Sequence, residues 1–153
     1  MLLLIKKNLM YILLALLIVM IDQISKYIII NNIDNLYNVN ILLFKINYIK
    51  NFGAAFNILS GSRILLSSIS IISSIVLLYY IIFLNIEYTK KYALTFILGG
   101  TLGNGIDRII NGYVIDFIDL NFINFAVFNI ADISINIGLV IFIYILLSKK
   151  RFL

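Results

Sequence analysis

The chain is 153 residues long, 63% hydrophobic and 12% charged, with a mean hydropathy of +1.09. Soluble domains are roughly 45–50% apolar, so this composition excludes one and reads as a single compact membrane domain, 1–153. The formal charge of +5 lies in small clusters beside apolar runs (Lys6 and Lys7, Lys90 and Lys91, Lys149 to Arg151), the pattern of cytoplasmic flanks and not of a nucleic-acid stripe. No cysteine or histidine is present, which excludes disulfides, thiolate metal sites, cysteine nucleophiles and Ser-His-Asp chemistry, and leaves proton transfer to Asp, Glu, Lys or Tyr.

Four apolar runs come near the roughly 20 residues that cross a bilayer as a helix: Leu9 to Ile30, Ile64 to Leu84, Tyr92 to Ile110 and Ile133 to Leu147. The expected fold is therefore an all-α membrane protein of four transmembrane helices. The basic clusters put both termini and the Glu87 to Lys91 connection in the cytoplasm, leaving Asn31 to Arg63 and Asn111 to Asp132 outside. The first run starts like a secretory signal, but it is too long and continues into Ile28-Ile29-Ile30-Asn31-Asn32 without a small-residue cleavage site, so it reads as a retained span. Asn38 to Ile49 alternates imperfectly and predicts short strands on the outer surface.

Polar residues inside or beside these runs are the candidate functional residues. Asp22 and Lys26 share one helix face at i, i+4, as a structural ion pair or a substrate contact. In Asn51-Phe52-Gly53-Ala54-Ala55-Phe56 the small residues fit a tight turn, from which Asn51 could fix a peptide group. Gly99-Gly100-Thr101-Leu102-Gly103-Asn104 runs through the third span, where small residues allow close packing. Arg108 follows Asn104 at i+4, at the outward end where the charge rule would not choose a cation, so it calls for an anionic partner or a polarised carbonyl.

The stretch Gly112 to Asp132 carries Asp116, Asp119 and Asp132 between two apolar segments. If Asn129 is an N-cap, Asp132 stands at the third helical position, near free amides and the positive end of the helix dipole. Asp116, flanked by Val114-Ile115 and Phe117-Ile118, has a more apolar setting that favours its neutral form. Two carboxyls in such unlike settings suit acid/base work on an amide, one taking a proton from water while the other holds one. Two unrelated helix caps are the plainer reading of the same spacing.

Five segments in chain order resemble the lipoprotein signal peptidases, the signal peptidase II family of bacterial intramembrane aspartyl peptidases. They are Asp22-Gln23-Ile24-Ser25-Lys26, Asn51 to Phe56, Gly99 to Arg108, Val114-Ile115-Asp116-Phe117 and Phe128-Asn129-Ile130-Ala131-Asp132. The resemblance implies four helices with a small β-rich extracytoplasmic cradle and an amphipathic helix. It implies Asp116 and Asp132 as catalytic residues, with Asp22, Lys26, Asn51, Gly53, Asn104, Arg108 and Asn129 lining the site and Asp107 in support. It further implies cleavage on the amino side of a diacylglyceryl cysteine in prolipoproteins, at the outer face of the bacterial inner membrane among its lipids, with no metal, cofactor or nucleic acid. One departure is Phe125-Ala126-Val127, where the family often has proline, which leaves that loop less restricted.

Two other activities need different residues. A Ser/Lys peptidase would need Ser25 or one of the serines from Ser67 to Ser74 beside Lys26, but Ser25 points away from it on a helix. A small ion- or proton-coupled transporter subunit would need acids spread across the bilayer, whereas here they gather at one edge.

Overall fold

Four long helices coincide with the four apolar runs, but they are not equivalent. The structure, a computed structural model, describes residues 2–54 and 58–149. Ala55 and Phe56 of the Asn51 segment, with Lys150 and Arg151 of the last basic cluster, lie outside the described residues. The elements run α1 (Leu2–Lys7), α2 (Leu9–Asn31), α3 (Ile33–Leu36), β1 (Asn40–Ile41), β2 (Phe44–Asn51), α4 (Arg63–Phe83), α5 (Tyr88–Ile110), β3 (Val114–Leu120) and α6 (Ile130–Lys149).

Three helices, α2, α4 and α6, are long and apolar enough to cross a membrane. Helix α5 matches them in length at 23 residues, but Lys90, Lys91, Asp107, Arg108 and its glycines make it less apolar, so composition supports three spans among the described residues where four were expected. Its position explains its polarity: α5 packs against α2, α4 and α6 together, so its surroundings are largely protein. Small residues make that possible. A Cβ on Gly100 would collide with the Ala131 carbonyl of α6, and one on Gly103 would lie 2.6 Å from a carboxylate oxygen of Asp22 on α2.

The outer helices are built inside out. On α2 the buried stripe is Tyr11, Ala15, Ile18, Asp22, Lys26 and Ile29, at spacings of three and four, while Leu13, Leu16 and Leu17 remain exposed. Its charged residues therefore face protein and its leucines face outward.

The expected strands in Asn38 to Ile49 are β1 and β2, and β3 joins them in an antiparallel sheet ordered β1-β2-β3. Ile46 pairs with Ile118 and Asn51 with Val114, with an irregularity between Ile46 and Ile49. Strand β3 was not predicted as a strand because Val-Ile-Asp-Phe-Ile-Asp-Leu lacks alternation, and it is buried on both faces from Val114 to Ile118. Ile29, Ile46, Phe117 and Ile118 form the core that fixes the sheet to α2, with Ile33 and Leu36 of α3 packed against it.

Candidate active site

The sheet and α6 bring two distant acids to one place. Register sets Ile49 opposite Asp116 and Asn51 opposite Val114, so the end of β2 lies beside the middle of β3. Asn51 Nδ2 donates to Asp116 Oδ2 at 2.9 Å, and Asn129 Nδ2 donates to Asp116 Oδ1 at 2.7 Å. Asp116 is buried, and its pKa is raised to about 7, first by desolvation and then by the charge of Asp132 nearby. The two asparagine hydrogen bonds and the more distant Lys26 oppose that rise without cancelling it.

Asp132 is held by a reciprocal cap at the start of α6. Its backbone N–H donates to Asn129 Oδ1 at 2.9 Å, while the Asn129 N–H donates to Asp132 Oδ2 at 3.1 Å. This is the N-cap and third-position arrangement anticipated from the spacing. Asn104 Nδ2 donates to the other oxygen of Asp132 at 2.8 Å. Asn129 thus touches both acids, by its side chain to Asp116 and by its backbone to Asp132. Among the described residues neither acid forms an ion pair; every hydrogen bond to them comes from an amide.

Behind the pair lies a different arrangement. Lys26 Nζ is 2.8 Å from Asp22 Oδ2, 2.8 Å from Asp107 Oδ2 and 3.1 Å from Asn104 Oδ1, which fills its three donors. Asp22 Oδ1 accepts the Ala131 N–H at 2.9 Å, one of the free amides in the first turn of α6. Asp107 Oδ2 accepts the Ile115 N–H at 3.2 Å, next to Asp116. Asp22, Lys26 and Asp107 are at most 2% exposed, and the expected Asp22–Lys26 ion pair is present.

Arg108 is half-buried at the end of α5. Its Nη2 donates to the Gly53 carbonyl at 3.1 Å, and its Nε is buried without a hydrogen-bond partner among the described residues. Asn51 Oδ1 accepts the Gly53 N–H at 2.9 Å, the tight turn expected of that segment. Asp119 stands apart from the pair, on Lys45 at 3.3 Å and Asn47 at 3.3 Å. Ser25 Oγ donates to the Asp22 carbonyl at 2.7 Å and Ser70 Oγ to the Leu66 carbonyl at 3.0 Å, so both serines bond back to their own helices. No cluster of three or more acidic residues among those described is arranged to hold a metal ion.

Two contributors were not singled out from the sequence. Gln23 Nε2 lies 3.2 Å from Asp22 Oδ2 and 3.0 Å from Asp107 Oδ1, stitching the two acids together beside Lys26. Arg63, opening α4, donates to the carbonyls of Arg108 at 3.0 Å and Ile109 at 2.6 Å and so caps the end of α5. Gln23 lies within the Asp22 to Lys26 segment, but its bond to Asp107, like those of Arg63 to α5, depends on a partner far along the chain.

Fold and site together define a helical membrane protein with a paired-carboxylate centre where its sheet meets the bundle. The sequence profile described as Signal peptidase (SPase) II matches residues 14–148. The chain is 38% identical to the lipoprotein signal peptidase of Lactobacillus gasseri, over 95% of this chain and 97% of that one. It is 37% identical to that of Enterococcus faecalis, over 92% and 89% respectively. A solved bacterial membrane enzyme, determined in meso at 2.3 Å, superposes with a TM-score of 0.84 at 36% identity, covering 92% of this chain and 89% of that one. A second, at 1.9 Å, gives 0.79 at 38% identity, covering 90% and 92%. The chain belongs to the signal peptidase II family and is accordingly a protease.

Proposed function

We propose that this protease removes the signal peptide from prolipoproteins, cleaving on the amino side of a diacylglyceryl-modified cysteine, with Asp116 and Asp132 as its catalytic acids. The supporting observation is the pair itself: two acids touching one asparagine, with no cation among the described residues paired with either. Like charges held this close favour one shared proton, which is the resting state an aspartic mechanism requires.

In that mechanism the ionised carboxylate takes a proton from water as the water oxygen bonds to the scissile carbonyl carbon. The other carboxyl gives its proton to the carbonyl oxygen, forming a gem-diol. Return of a proton to the amide nitrogen then breaks the C–N bond, releasing an acid and an amine and restoring one proton to the pair. Arg108, anchored on Gly53 and with Nε unpartnered, is suited to hold the substrate backbone. Asn51, Asn104 and Asn129 orient the acids, while Asp22, Lys26 and Asp107 brace them from behind.

The whole chain forms one domain in this reading, and α5 crosses the bilayer with the other three helices, screened by them from lipid. Both termini then lie in the cytoplasm of a bacterial inner-membrane protein, with the pair near the outer face; the basic clusters support that orientation. Substrate enters sideways from the bilayer, since withdrawing its acyl chains into water costs about 0.8 kcal/mol per CH₂.

Single Asp116→Asn and Asp132→Asn variants test the assignment on a diacylglyceryl-modified prolipoprotein. Each is expected to insert normally and to lose about 10³-fold or more in cleavage rate. Wild-type cleavage by either one overturns it. Chelators are expected to change nothing, and abolition of activity by them would remove the two-acid mechanism.

A further inference from the structure

The end of the bundle remote from the acid pair holds a second buried polar group that proteolysis does not use. Asn8, in the break between α1 and α2, donates from Nδ2 to the carbonyls of Leu4 at 2.9 Å and Ile82 at 3.1 Å, tying α1 to the end of α4. Its Oδ1 accepts a 2.6 Å hydrogen bond from Lys91 Nζ in the first turns of α5. Lys91 is only 5% exposed, and its ammonium lies 5.8 Å from the centre of the Tyr11 ring. Among the described residues no carboxylate forms an ion pair with it. Among the described residues, this buried ammonium against one neutral oxygen and a ring face lacks the counter-charge that burial normally demands.

Beside it opens a cavity of about 670 Å³, lined by Lys7, Asn8, Asn85, Glu87, Thr89 and Lys91 among others. The first turn of α5 forms part of its wall and has no side-chain cap, so the positive end of the helix dipole adds to the two lysines. Glu87 is the acid on this rim, and Lys90 lies 3.5 Å from it. The wall comes from the ends of long bundle helices, and basic pockets between such helices in membrane proteins are a recurring headgroup site.

We propose that this cavity binds the headgroup of an anionic phospholipid from the leaflet at that end, with Lys91 and Lys7 on the phosphate and Thr89 and Asn85 on its other oxygens. The site is distinct from the acid pair and does not depend on its chemistry.

The full chain in nanodiscs of phosphatidylcholine, titrated with phosphatidylglycerol, tests this by native mass spectrometry of retained lipid and by thermal unfolding. Phosphatidylglycerol is expected to be retained preferentially and to raise the unfolding temperature. Lys91→Gln and Lys7→Gln should each weaken its retention about tenfold, as for loss of one charge-assisted hydrogen bond. Lys90→Gln removes the same charge one residue away, outside the cavity lining, and should change retention little. If Lys91→Gln fails to fold, Lys7→Gln on the exposed rim still decides. Equal retention of the two lipids, an equal effect of Lys90→Gln and Lys7→Gln, or equal stabilisation by inorganic phosphate alone overturns the lipid assignment.

Discussion

Two pairs of acids lie side by side in this bundle and are held in opposite ways. Asp22 and Asp107 share one ammonium, that of Lys26, with Gln23 bridging them. Asp116 and Asp132 share one asparagine, and amides alone reach them. In the first pair the counter-charge is a side chain that cannot leave. In the second no cation among the described residues is in contact, so relief of the like-charge repulsion falls to a proton, which can leave. Proximity of carboxylates therefore says little about chemistry until their donors are identified.

The largest expected effect comes from removing the fixed counter-charge. Lys26→Met strands Asp22 and Asp107 in the interior, and breaking a buried pair in this way costs about 3–5 kcal/mol. The variant should show a steep fall in folded yield and unfolding temperature, with a smaller fall in cleavage by whatever folds. A fully folded, inactive Lys26→Met protein would erase the distinction and move Lys26 into the reaction.

Next comes the residue that joins the acids. Asn129→Ala removes the cap of α6, worth about 1 kcal/mol, and the donor between Asp132 and Asp116. Misplaced reacting groups commonly cost about 10²-fold, so activity should fall by that order with only a modest drop in unfolding temperature. If cleavage and stability fall in proportion, Asn129 serves the cap and not the pair.

Much of this contrast was legible in the sequence, though not all of it. The i, i+4 spacing of Asp22 and Lys26, the Asn129 to Asp132 cap and the Asn51 turn are local, and each appears as expected. The apolar runs gave the long helices, and α5 is the one whose composition does not by itself mark a span, because a helix sheltered by three others can carry charge. What stayed hidden was long-range. Strand β3 is buried from both sides and lacks alternation, and the bonds of Asp107 to Lys26 and of Arg63 to α5 depend on helices meeting, not on spacing.

The smallest effect is the most specific to the second pair. With its pKa raised from 3.8 to about 7, Asp116 holds its proton more tightly in the folded protein than in the unfolded chain. Its contribution to stability is fully present below about 3.8 and is lost as pH rises through about 7, and cleavage that needs this proton should decline over the same alkaline limb. Asn51→Ala deletes a hydrogen bond that opposes the rise, so the Asp116 pKa should climb further and carry the alkaline limb of kcat/KM upward, by up to about one pH unit. Asn47→Ala, which removes a donor from Asp119 instead, should leave the limb where it is. A limb that stays fixed or moves down in Asn51→Ala would mean that Asp116 does not supply the proton, and the contrast with Asp22 and Asp107 would then rest on geometry alone.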